Sequence, residues 1–202
     1  MKSLLLAAAT AALLGAAPAF AQTTHASQGS ASSGDAKFAE HAARDGHAEV
    51  DLGRLAERKT QNPAVKALAR RLVDDHTKSN QQLMQIAQQE GMQLPSGPGK
   101  SESKQREKLQ KLNGDAFDKA FVNQIVEDHQ KDIKYFRKEQ NSLKDAQLKS
   151  FAQQTLPVLQ KHLQMAEQTA QATGASGSST APNRSKDATA SPAARAANPG
   201  VR

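Results

Sequence analysis

The sequence predicts an all-α fold: an antiparallel four-helix bundle flanked by disordered N- and C-terminal segments. Three observations predict the helices and their arrangement. Four long stretches carry apolar residues at three- and four-residue spacing, the pattern of a one-sided helix. Aromatic residues are scarce, with no tryptophan, one tyrosine and six phenylalanines, while Ala, Gln, Lys and Leu are frequent. The connections between the first and second stretches, and between the third and fourth, are only a few residues long, so each pair forms an antiparallel hairpin.

The chain opens with Met1-Lys2-Ser3, an apolar run from Leu4 to Ala17, Pro18, and then Ala19-Phe20-Ala21. A short basic start, an apolar centre and a small-x-small end predict a signal peptide cleaved after Ala21. The apolar run is about 14 residues long, against roughly 20 for a membrane-spanning helix. The expected location is therefore periplasmic or otherwise extracytoplasmic, with outer-membrane association as a variant and no transmembrane segment after cleavage. Residues 22–34 are rich in Ser, Gly, Thr and Ala and read as a disordered linker. Residues 173–202 repeat that bias, add Pro182, Pro192 and Pro199, and read as a disordered basic tail. The tail is expected to make at most weak contact with an anionic envelope surface.

The bundle is expected over residues 35–172. Asp35 is placed as the cap of the first helix, which carries Phe38, Leu52 and Leu55 to about Thr60. Asn62-Pro63 supplies an N-cap and a first-turn proline for the second, which carries Val65, Leu68, Leu72, Leu83 and Ile86 and stops at Gly91. A proline- and glycine-rich break follows, then a short helix at 101–112 with Leu109 and Leu112 on one face. Gly114-Asp115 opens the third long helix, with Phe117, Phe121, Ile125, Ile133 and Phe136. Asp145 caps the fourth, with Leu148, Phe151, Leu159 and Leu163, and Pro157 inside it is expected to kink it.

Polar residues interrupt these stripes at one level. His76 follows Leu72, His129 lies between Ile125 and Ile133, and His162 follows Leu159. On the first helix His41, Asp45 and Glu49 recur every four residues, on or beside the inner face, and Gly46 among them allows a neighbouring backbone to come close. Glu49, His76, His129 and His162 lie near the middles of their helices, within a vertical spread of roughly 6 Å. Three imidazoles and a carboxylate in one layer suit a single zinc, copper or iron ion. Asp45, His41, Asp75 and Asp128 are outer partners or alternates. The competing reading is a buried hydrogen-bonded network with no metal. His25 falls in the linker and His47 is expected to face solvent. Val73-Asp74-Asp75-His76-Thr77-Lys78 is echoed by Val126-Glu127-Asp128-His129-Gln130-Lys131, which treats His76 and His129 alike.

The chain resembles an exported ferritin-like domain-of-unknown-function family whose members are often labelled outer membrane proteins. The resemblance spans about residues 35–172. It rests on Glu49-Val50-Asp51-Leu52-Gly53, Val73-Asp74-Asp75-His76, Gly114-Asp115-Ala116-Phe117-Asp118, Asp128-His129, and Leu156-Pro157-Val158-Leu159 with His162-Leu163. It implies a ferritin-like four-helix fold and an extracytoplasmic location, and supplies no activity. Di-iron members of the ferritin-like class use Glu-x-x-His pairs. Here Val73, Val126 and Leu159 stand three residues before the histidines, so a di-iron centre does not follow from the fold.

Other classes are weak. The chain has no cysteine, which excludes disulfides, thiolate metal sites, a thiol nucleophile and a lipoprotein anchor. It has no phosphate-binding glycine loop and no Gly-x-Ser-x-Gly elbow. The net charge of +7 is spread without a basic stripe, and stacking aromatics are missing, which argues against nucleic acid. Three functions remain: a metal-binding protein of the envelope acting in stress or metal handling, a non-catalytic envelope interaction or structural module, and a metal-dependent oxidoreductase. No catalytic residue is singled out, and the protein is expected not to be an enzyme.

Overall fold

The computed structural model describes residues 31–175, and every regular element among them is an α-helix. Four are long: α1 (Ser33–Lys59), α2 (Pro63–Gln89), α4 (Gly114–Glu139) and α5 (Ala146–Thr173). One is short, α3 (Lys100–Gln110), between α2 and α4. The expected signal peptide, its expected cleavage point and most of both expected flanking segments lie outside the described residues.

The helix ends follow local chemistry. Asn62 caps α2: its side-chain oxygen accepts from Ala64 N at 2.9 Å and Val65 N at 3.3 Å, with Pro63 in the first helical position. Asp145 caps α5 by accepting from Leu148 N at 2.7 Å. Asp35 is not the cap of α1. That role falls to Ser32, whose hydroxyl accepts from Asp35 N at 3.2 Å while the Asp35 carboxylate accepts from Ser32 N at 3.3 Å. This reciprocal box satisfies two otherwise orphaned donors, which a lone aspartate cap cannot do. The other Asp35 oxygen accepts from Lys144 N at 2.9 Å, tying the start of α1 to the α4–α5 connection. α5 continues past Pro157 as one helix of 28 residues, and the proline is on its exposed side. It ends at Gly174, which takes the left-handed conformation at φ 65° that glycine adopts without a Cβ clash.

On α1 and α2, Gly46 faces Asn80 and Gly53 faces Val73, so later residues of one meet earlier residues of the other. On α4 and α5, Phe136 packs on Phe151 and His129 meets His162. On α2 and α5, Asp75 meets His162 and Glu90 meets Gln147. On α1 and α4, Glu49 approaches His129 and Lys59 reaches Asn113. The two glycines act differently. A Cβ on Gly46 would strike the Asn80 side chain, whereas one on Gly53 would meet Val73 Cγ2 at 2.6 Å and the Ala69 carbonyl at 3.0 Å. The close backbone approach expected at Gly46 is thus found at Gly53.

The apolar interior forms two clusters. One gathers Leu52, Leu55, Leu68, Leu72, Phe117, Phe121 and Ile125. The other gathers Phe38, Leu83, Ile133, Phe136, Leu148, Phe151 and Leu159. Between them lies a buried polar layer of Glu49, His76, His129 and His162. α3 buries only Leu109 fully and packs on α1 and α4, as a cover over one side of that layer. Among the described residues no helix is long and apolar enough to cross a membrane.

Candidate metal centre

Each histidine of the layer reaches it from a separate long helix, because each replaces a leucine- or isoleucine-type position on an inner stripe. His129 and His162 are fully buried, and His76 nearly so. A ring nitrogen of each lies within 4.8 Å of a ring nitrogen of the other two. The ring centroids are 5.7 Å apart for His76 and His129, 5.3 Å for His76 and His162, and 5.2 Å for His129 and His162.

The outer hydrogen bonds decide where the ring protons sit. His129 Nδ1 is 3.1 Å from the Ile125 carbonyl, which can only accept, so Nδ1 carries the proton and Nε2 a lone pair. His162 Nε2 is 2.9 Å from Asp75 Oδ2, and Arg71 Nε sits 2.5 Å from the same oxygen. A carboxylate beside a guanidinium accepts, so His162 Nε2 carries the proton and Nδ1 the lone pair. The two lone pairs then face each other, with His129 Nε2 and His162 Nδ1 3.2 Å apart. His76 Nε2 is a third buried nitrogen, and it has no partner.

Burial keeps these rings neutral. It drives His76 well below the usual histidine range, with His129 and His162 adding to the effect. His129 is pushed down to about 3 by burial and then by His162. His162 is lowered by burial against the opposing pull of Asp75. An extra proton between the facing lone pairs is therefore disfavoured, while neutral imidazoles are the form that ligates a metal. A cleft of about 240 Å³ between α2 and α5 is lined by both His76 and His162 and gives a route from solvent.

Glu49 stands elsewhere than among the three nitrogens. Its Oε1 is 3.7 Å from His129 Nδ1, the protonated side of that ring, and its Oε2 is buried without a partner. It lines a second cleft, of about 370 Å³, bounded by α1, α3 and α4. His41, Asp45 and Asp128 line the same cleft, so the structure separates them from the histidine trio. His41 Nε2 and Asp45 Oδ2 are 3.0 Å apart. Asp128 accepts from Gln124 Nε2 at 2.8 Å. Asp75 alone of the outer candidates touches a histidine of the trio. The sequence echo is thus local: Asp75 and Asp128 sit alike on their helices and serve opposite sides of the layer. His47 is half-buried beside a third cleft, and His25 is outside the described residues.

Sequence reasoning missed Asp132, a buried wall of the second cleft. Its signal was its place three residues after His129 and four after Asp128. Burial raises Asp132 well above the carboxylate range, with Asp45 and Asp128 adding to it. Burial also raises Glu49, and it lifts Asp45 to about 6.

No curated protein matches this chain. A crystal structure of a DUF305 fragment from Deinococcus radiodurans is similar in fold, with a TM-score of 0.63 at 13% identity, covering 72% of this chain and 99% of that one. The family model described as "Domain of unknown function (DUF4142)" matches residues 20–169, most of the length, and the chain belongs to that family.

Proposed function

We propose that this protein is an extracytoplasmic metal-binding helical protein that holds one zinc, copper or iron ion in its core through His76, His129 and His162. One observation carries the reading: two imidazole lone pairs face each other in a buried layer, with an unpartnered third nitrogen beside them. A bound cation relieves that arrangement without moving the outer hydrogen bonds. The separation of 3.2 Å is close to the edge of roughly 3.3 Å expected for a tetrahedron with metal–nitrogen bonds of about 2.0–2.1 Å. Ile125 and Asp75 act as the outer acceptors that fix ligand tautomers at metal sites. His76 Nε2 supplies the third bond after a small ring movement, and the cleft toward solvent leaves a fourth position for water. The four long helices are read as a ferritin-like antiparallel bundle, with metal handling or envelope stress as the role and no turnover.

Elemental analysis of the purified chain tests the core site. One equivalent of zinc, copper or iron is expected per chain, and it is lost in the His76→Ala, His129→Ala double variant. Folded protein that takes up none of the three after supplementation overturns the reading and leaves a structural hydrogen-bonded layer. Cell fractionation with N-terminal sequencing tests export, the expected first residue of the mature chain being Gln22.

A further inference from the structure

We propose that the cleft bounded by α1, α3 and α4 is a second, independent cation site, in which His41, Asp45 and Asp132 hold a divalent ion of the manganese or ferrous type beside the buried carboxyl of Glu49. Three ligand atoms are already gathered. One from each of His41, Asp45 and Asp132 lies within 4.8 Å of the others. Asp45 follows His41 by one helical turn on α1, and Asp132 faces them from α4. The ring of Tyr135 packs edge-on against His41 at a centroid distance of 4.0 Å and holds the imidazole over the cleft.

A second observation points to a ligand. Glu49 is only 3% exposed, lines the inner wall of this same cleft, and has an oxygen, Oε2, with no hydrogen-bond partner. A buried carboxylate oxygen left bare costs free energy that a coordinated cation removes. The charge around it is unbalanced. Glu102 and Asp128 also line the cleft, and its one lysine, Lys131, is shared between Glu127 outside the cleft at 2.7 Å and Asp128 at 3.9 Å, so one cation faces several acids. Two carboxylates with one imidazole are a harder donor set than three imidazoles, and they favour manganese(II) or iron(II) over zinc or copper. The two sites thus differ in donor set and lie on opposite sides of His129, with Glu49 between them.

Manganese is the air-stable probe. Chelated full-length protein is titrated with Mn2+ while the free-ion EPR signal is followed. The expected result is one saturable Mn2+ per chain below about 1 mM, unchanged in the His76→Ala, His129→Ala variant that lacks the core site. Binding should weaken at least about tenfold in Asp132→Asn and in Asp45→Asn, each near-isosteric. His41→Ala, at a partly exposed position, should weaken it as well without disturbing the fold. Absence of saturable Mn2+ binding by the wild-type chain overturns the proposal. So does binding unaffected by Asp45→Asn, Asp132→Asn and His41→Ala, or loss of Mn2+ binding in the folded core-site variant alone.

Discussion

His162 spends one ring nitrogen on Asp75 and the other on the centre of the polar layer, and Arg71 keeps Asp75 an acceptor. Removing that acceptor charge tests the proton assignment directly. Asp75→Asn keeps the shape, but its amide can offer an N–H where His162 now finds an acceptor, which frees the ring to turn or change tautomer. Zinc affinity of the variant, measured by competition with a chromophoric chelator, should fall about 10–100-fold with an unchanged circular dichroism spectrum. Equal affinity would remove Asp75 from any role in the site. The three histidines were readable from sequence because each breaks an apolar stripe, and a helical period fixes direction. Asp132 was not readable in the same way. It sits at the edge of the α4 stripe, and the side chains gathered against it, His41 and Asp45, come from α1, far away in sequence. Periodicity puts Glu49 on or beside the inner face, and it is buried there, but periodicity gives only an angle, and the chemistry depends on which side of His129 the carboxylate reaches.

Helix ends and helix contacts show the same division. Asn62 and Asp145 cap as expected, since a cap is a chemical fact within three residues. The Ser32–Asp35 box displaced the expected cap because reciprocal bonding satisfies more donors than either residue alone. Close approach of α1 to α2 depends on partners far along the chain, and this is where Gly46 and Gly53 part. Gly53→Ala should lower stability in chemical denaturation by about 1–3 kcal/mol, reduced by up to about 1 kcal/mol of helix propensity, because the Ala69 carbonyl cannot yield. Gly46→Ala meets the far end of the Asn80 side chain, which can swing away. Its cost should be smaller, and in an Asn80→Ala background it should vanish. Equal destabilisation at the two glycines would contradict this account of the α1–α2 interface.

Across the whole molecule, two apolar clusters are held apart by a layer whose groups pull stability in opposite directions with pH. His129 is depressed to about 3 by burial, so the unfolded chain binds its proton first as pH falls below about 6.5. Metal-free protein should therefore lose on the order of a few kcal/mol from this residue between pH 6.5 and pH 3. Asp132 works the other way. Its folded form is raised by burial and by the Asp45 and Asp128 charges, with Lys131 opposing, so the folded chain keeps a proton that the unfolded chain releases above about pH 3.8. That penalty grows as pH rises and is absent at low pH. Asp132→Asn removes it. In EDTA the variant should melt above the wild type at pH 8, with the difference shrinking to nothing as pH falls toward 4. Added Mn2+ should reverse the order at pH 8, because a ligand stabilises only the form that binds it, and the wild-type chain alone keeps the full donor set. A variant that melts higher under both conditions would leave Asp132 as a repulsive buried acid, and one that melts lower under both would make it a structural partner of the α1–α4 contact.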